Sequence, residues 1–187
     1  WYREGTDDLR LVLSGSIPAL RAYRNGATGL LSVPLGASTA QALVGGTVCH
    51  STTSAPTTGT SLEILATCTL PASALSVDGM GVRVKAWGTT AANGNSKTFA
   101  VYFGATACAT LTGTINNGAL VADTTVLRTG AATQECGGTV IGGTSAAATR
   151  QTPSETLSGV VAITIKGTTP IAAGDLTFKG LTVEVLN

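Results

Sequence analysis

Apolar and polar residues alternate with a period of two along much of the chain from residue 61 onward. The clearest case is residues 81–90, where Val82, Val84 and Ala86 are separated by side chains that suit the opposite face. Such alternation is typical of a half-buried β-strand, and no helical period is sustained along the chain. The pattern therefore predicts an all-β protein.

Turn signals divide this region into about eight strands. Asn93-Gly94 and Asn117-Gly118 are the strongest of these signals. Eight antiparallel strands favour a jelly-roll β-sandwich; an immunoglobulin-like sandwich is the alternative, weakened by the missing Cys–Trp–Cys spacing. The predicted strands cover residues 61–70, 81–90, 97–103 with 105–111 as its continuation, 119–128, 134–141, 144–152, 160–166 and 176–185.

The first 60 residues have a different pattern, with short apolar pieces that glycine and proline interrupt. A segment this small cannot cover its own leucines without staples or partners. We therefore expect two parts: an extended N-terminal β-hairpin and oligomerisation arm over residues 1–60, and a jelly-roll over 61–187. Residues 46–59 are interpreted as a strand end and an exposed connection. The predicted interface of a homotrimer is formed by Leu30, Leu31, Val33 and Leu35; the alternative is an arm that lies on its own sandwich.

Composition narrows the possible partners. Charged residues make up 11% of the chain and the net charge is +1, whereas an average domain has about 25% charged residues. Neither nucleic acid nor an anionic membrane is expected as a partner, because each would call for a basic patch. No apolar run is long enough for a membrane-spanning helix, so no membrane insertion is expected.

Four cysteines, Cys49, Cys68, Cys108 and Cys136, lack the close spacing of a zinc site. Two disulfides or four buried thiols would each account for them, and four cysteines allow three pairings. The pairing of Cys49 with Cys68 and of Cys108 with Cys136 is favoured, because each pair flanks one local excursion of the chain. Disulfides would indicate an extracellular protein.

No catalytic constellation emerges from the sequence. His50 is the only histidine, and no Gly-x-Ser-x-Gly elbow accompanies it, so it is interpreted as a solvated loop residue. Asp78-Gly79 lacks the other oxygen ligands of a calcium loop and is read as a turn. Four acids on or beside predicted strands could in principle form a glycosidase pair, although isolated surface acids are the simpler interpretation: Asp123, Glu135, Glu155 and Glu184. We expect no enzyme activity, no cofactor and no metal.

Trp87 is the residue that could contact a ligand. It lies in the middle of a predicted strand, where an exposed indole can stack on a sugar ring. Packing at a sheet or subunit interface is the more common role of such a residue. Tyr102 and Phe103 are both predicted to lie in the core.

Several runs resemble the C-terminal jelly-roll domain of tailed-bacteriophage fibre and virion surface proteins. They are LPASAL (70–75), GVRVKAWGTT (81–90), ANGNSKT (92–98), VYFG (101–104), RTGA (128–131), AITIKG (162–167) and LTVEVLN (181–187). Residues 1–15 also look like short hairpin modules of phage fibres. The four cysteines depart from the family, whose members usually lack cysteines at these positions.

The resemblance implies a trimeric, non-enzymatic virion protein exposed on the particle surface. Its expected partners are copies of itself, other virion proteins, and a host surface glycan or protein. Three functions stay open: a fibre or spike component that contacts the host, a capsid decoration protein that stabilises the head, and a polysaccharide-degrading tailspike.

Overall fold

The computed structural model describes residues 2–3, 8–11, 20–24, 31–32 and 46–186. They divide into two compact units, Trp1–Gly45 and Gly46–Asn187. Every regular element in the described residues is a β-strand, and every pairing is antiparallel. The prediction of an all-β protein is confirmed.

The described residues of the N-terminal unit form four short strands that pair in chain order. They are β1 (Tyr2–Arg3), β2 (Asp8–Leu11), β3 (Leu20–Arg24) and β4 (Leu31–Ser32). Leu31 begins β4, whereas Leu30, Val33 and Leu35 lie outside the described residues. The three-fold interface expected at these four positions therefore stays a prediction.

The C-terminal unit is a sandwich of two sheets. One has the order β10-β9-β14-β7, and the other is a seven-stranded sheet of order β13-β12-β11-β8-β15-β5, in which β6 also pairs with β15. The strands are β5 (Thr47–Ser51), β6 (Ala55–Pro56), β7 (Glu63–Leu70), β8 (Gly81–Thr90), β9 (Ser96–Phe103), β10 (Thr106–Thr114), β11 (Ala119–Gly130), β12 (Thr133–Gly142), β13 (Ser145–Gln151), β14 (Val161–Thr168) and β15 (Leu176–Leu186).

The strand order is that of a jelly-roll. β5 pairs with β15, β7 with β14, β8 with β11, and β9 with β10. In a jelly-roll, such pairs follow one another along a single long antiparallel hairpin, which is rolled up so that the pairs form two facing sheets. The hairpin of β12 and β13 is inserted before β14 and extends the larger sheet. The jelly-roll prediction is confirmed, and the immunoglobulin-like alternative is not supported.

The apolar side chains at alternate positions of the strands form the core between the two sheets. Val82, Val84 and Ala86 point inward from β8, as the sequence predicts, and all three are buried. The facing sheet contributes Phe99 and Ile163, which are fully buried. Each such large side chain contributes about 1.5–3 kcal/mol when it is removed from water.

Two predictions for β9 and the residues that follow it were wrong in detail. Gly104 has a φ of 56° and forms a tight turn with Ala105, so residues 106–111 do not continue β9 but belong to β10, a separate strand. Tyr102 lies on the outer face of its sheet, where Lys166 Nζ is 3.9 Å from the ring centroid. Phe103 is buried, as predicted.

Residues 46–60 belong to the sandwich rather than to the N-terminal arm. They include β5 and β6, which both pair with β15. The boundary between the compact units falls after Gly45, not after residue 60. The Ser/Thr-rich sequence of this segment shows little alternation of apolar and polar residues. Backbone pairing with β15 holds it as an edge strand without a continuous apolar face.

Candidate functional site

Two disulfides join the two sheets of the sandwich. Cys49–Cys68 connects β5 to β7, and Cys108–Cys136 connects β10 to β12. Strands β7 and β10 are the two edges of the smaller sheet. Each edge is therefore tied covalently to the facing sheet, and the pairing is the one that the sequence favoured. No free cysteine occurs in the described residues.

A buried polar network holds the loops at one end of the sandwich. Lys97 is fully buried, and its Nζ donates to Asn93 Oδ1 at 2.7 Å and to the Asn93 and Asn95 carbonyls at 3.3 and 3.0 Å. The Nδ2 atoms of both asparagines donate to Asp175 at 2.7 Å. The network therefore fixes the β8–β9 turn against the residue that precedes β15.

The carboxyl group of Asp175 is stabilised in its charged form. The hydrogen bond from Asn95, then that from Asn93 and the charge of Lys97, lower the pKa of Asp175, although burial opposes them. A carboxyl group whose pKa is depressed by folding stabilises the protein above its unfolded pKa. That contribution is lost as the pH falls through the lower, folded value.

We expect unfolding midpoints of the wild type to decline as the pH is lowered below about 4, the usual range of an aspartic acid. The variant D175N should be less stable at pH 7, because its amide would face two amide donors, and its decline with acid should be smaller. Urea titrations of both proteins between neutral and acidic pH measure this. Parallel pH profiles would contradict the role given to Asp175.

The other end of the sandwich carries a shallow cleft of about 320 Å³. Its one charged lining residue, Arg128, is already engaged, with Nε donating to Asp78 and Nη1 to the Leu75 carbonyl. Asp78 is thus part of a loop contact, consistent with a turn. The rest of the lining is aliphatic or hydroxyl-bearing: Ser73, Leu75, Ser76, Ala131, Ala132, Thr156, Leu157 and Ser158. This cleft contains no base next to a nucleophile.

Each of the acids considered for catalysis lies beside a basic side chain or a backbone donor, and Asp123 and Glu184 share Arg83. Asp123 pairs with Arg83, and Glu135 accepts two hydrogen bonds of 2.8 Å from Arg150. Glu155 accepts from the backbone N–H of Ala105. Glu184 lies opposite Arg83 on β15.

His50 is exposed and lies in β5 opposite Thr182, not in a loop. No cluster of three or more His, Cys, Asp or Glu side chains suited to a metal ion occurs in the part of the chain that the structure describes. No helix among the described residues is long and apolar enough to cross a membrane.

The outer face of the seven-stranded sheet is the most distinctive surface of the sandwich. Trp87 lies opposite Val121, Val121 opposite Ile141, and Ile141 opposite Ala146. These four residues, here called the apolar strip, follow one another across β8, β11, β12 and β13. Trp87, Val121 and Ile141 are 39%, 50% and 50% exposed.

Gly180 allows the indole of Trp87 to lie against the sheet. Gly180 is the cross-strand neighbour of Trp87 on β15, next to a β-bulge. A Cβ at this position would lie 2.6 Å from Trp87 Cζ2, so a side chain there would displace the ring. One side of the indole thus packs on backbone. Trp87 is a surface residue and not part of the core between the sheets, so of its predicted roles a subunit interface and a ligand contact both stay predictions.

Comparison of the chain with protein-family models, curated proteins and solved structures finds no match. The candidate site therefore rests on geometry alone. Sequence reasoning singled out Trp87 but missed the rest of the apolar strip. A signal was present, because Leu120-Val121-Ala122 and Val140-Ile141 place apolar residues in both phases of a strand, which indicates apolar character on both faces.

Proposed function

We propose that this protein is a non-enzymatic structural component of a bacteriophage particle, exposed on the virion surface as a homotrimer that contacts the host. The observation that carries the proposal is the jelly-roll strand order of the sandwich, which is the fold that the resemblance to tailed-phage surface proteins implies. The covalent clamping of both edges of the smaller sheet by Cys49–Cys68 and Cys108–Cys136 supports the extracellular part of the proposal. A module fastened in this way suits an oxidising, extracellular setting.

Two further features support a structural rather than a catalytic role. The polar groups of the sandwich are used to hold loops, as Lys97, Asp175 and Arg128 do. The cleft bounded by Arg128 is shallow and has no paired acid and base. An exposed flat face, in contrast, is a surface that other macromolecules can cover.

Immunogold electron microscopy of purified particles from the producing culture tests the location. We expect antibody against residues 46–187 to label particles, on the tail if the protein is a fibre component. Labelling confined to the head would favour the decoration function, with particles that burst when the protein is stripped away. Recovery of the protein only outside particles would overturn the proposal.

The contact with the host and the absence of catalysis need separate measurements. Fluorescently labelled, purified protein should bind host cells, and it should release no reducing sugar from the host capsule. Light scattering after size exclusion should give about three times the chain mass of 18.6 kDa, with and without reductant. Release of reducing sugar would favour a polysaccharide-degrading tailspike instead.

A further inference from the structure

Exposed apolar side chains are concentrated on one face of the sandwich. Nine large apolar side chains are exposed in the described residues, and four of them lie on the outer face of the seven-stranded sheet: Trp87, Val121, Leu127 and Ile141. Three of the four form the apolar strip with Ala146. Contiguous exposed apolar surface of this kind marks an interaction site more often than scattered residues do.

The opposite outer face provides a contrast within the same domain. Along the smaller sheet, threonines occupy many outward positions, and Thr98 and Thr112 are hydrogen-bonded to each other at 2.9 Å. Tyr102 is covered by Lys166. Ile64 is the exposed large apolar side chain of this sheet, at 59%. A row of adjacent exposed apolar side chains therefore occurs on the larger sheet, whereas the described strands of the smaller sheet expose a single large one.

Charged side chains beside the apolar strip face side chains of opposite charge on neighbouring strands. Arg83 pairs with Asp123, Arg150 pairs with Glu135, and Lys85 lies opposite Asp123 in the register of β8 and β11. Glu184 lies opposite Arg83. Lys179 is exposed on the same face, next to Gly180 on β15. Four basic and three acidic groups thus leave an excess of only one positive charge, too little to favour a polyanion or a polycation as the partner.

This charge balance favours a second copy of the same chain as the partner. Two identical faces repel each other when one sign dominates, whereas a balanced face carries complementary groups for its own copy. Trp and Arg around an apolar centre are also the composition of protein interfaces. Trp87 is held against Gly180, so little side-chain entropy is lost when its open side is covered.

We infer that the apolar strip is the surface through which copies of this chain contact one another. The inference deepens the proposed homotrimer, because it places a contact on the sandwich in addition to the one predicted for the N-terminal residues. In a closed ring each copy would direct this face toward the common axis and use its two halves against two neighbours.

Hydroxyl-radical footprinting of the assembled, full-length protein tests the inference. Ile141 and Ile64 are a matched pair, since they are the same residue type and are 50% and 59% exposed in the single chain. We expect Ile141 to be modified several-fold more slowly than Ile64 in the assembly. Equal modification of the two isoleucines would overturn the inference, even if the N-terminal unit alone keeps the protein oligomeric.

Variants give a second, independent measurement. V121E combined with I141E should lower the solution mass toward 18.6 kDa or weaken assembly on dilution, whereas I64E should leave both unchanged. Near-ultraviolet circular dichroism and thermal unfolding show whether each variant is folded. The inference would be overturned if the folded double variant assembled like the wild type and Ile141 were unprotected in the wild-type assembly.

A glycan site at Trp87 would give a different result. W87A would then lose binding to a host glycan, and its solution mass would equal that of the wild type. In the wild-type assembly, Ile141 would be modified as fast as Ile64. This combined outcome too would overturn the inference. Failure here leaves the particle labelling and host-binding tests of the proposed function untouched, because neither depends on which face the copies share.

Discussion

We expect replacement of all four cysteines by alanine to lower the free energy of unfolding of the sandwich by about 7 kcal/mol in the chain-entropy account of disulfides. The bridges close separations of 19 and 28 residues. For loops of this length, the chain-entropy account predicts that each disulfide stabilises the folded state by about 3–4 kcal/mol. The loops Cys49–Cys68 and Cys108–Cys136 do not overlap along the chain, so the two contributions add.

A loss of this size is comparable to the whole stability of a typical domain, about 5–15 kcal/mol. Urea denaturation of the oxidised protein, of each paired variant (C49A/C68A and C108A/C136A) and of the fourfold variant measures it. The paired variants serve as controls, since each should lose about half as much. Coincident transitions of the oxidised and fourfold-substituted proteins would contradict the clamping role.

We expect the variant K97M to lower the free energy of unfolding by about 3 kcal/mol. Methionine keeps most of the buried stem of Lys97 but removes the ammonium group. The Asn93 and Asn95 oxygens that accept its hydrogen bonds are then left without this donor. The loss should also loosen the β8–β9 turn, because the same two asparagines bind Asp175.

Lys179 supplies the matched control for this substitution. It is exposed and donates to Ser54 Oγ at 3.1 Å on the surface. K179M should change the free energy of unfolding by less than about 0.5 kcal/mol. Equal unfolding midpoints for K97M and the wild type in urea would show that the buried ammonium contributes no net stability.

The positions of the long strands could be predicted from the sequence because their signals are local. Alternation places β8 at Gly81–Thr90 without any knowledge of its neighbours, and Asn93-Gly94 marks the turn that follows. The disulfide pairing was also accessible, since Cys49–Cys68 and Cys108–Cys136 each close a short excursion. Even the burial of Lys97 had a signal, because it shares the inward phase of β9 with Phe99.

Other features depend on contacts between residues far apart in the chain. The sequence of residues 46–59 indicated no more than a strand end before an exposed connection. β5 belongs to the sandwich because β15, more than a hundred residues later, offers an edge to pair with. The apolar strip exists because the registers of β8, β11, β12 and β13 align Trp87, Val121, Ile141 and Ala146 in one row. Local periodicity therefore determined the positions of most long strands and the face that most of their residues take, although β5 and Tyr102 were exceptions. The tertiary structure alone decided which strands became neighbours, since that choice depends on long-range pairing and on the packing of one sheet against the other.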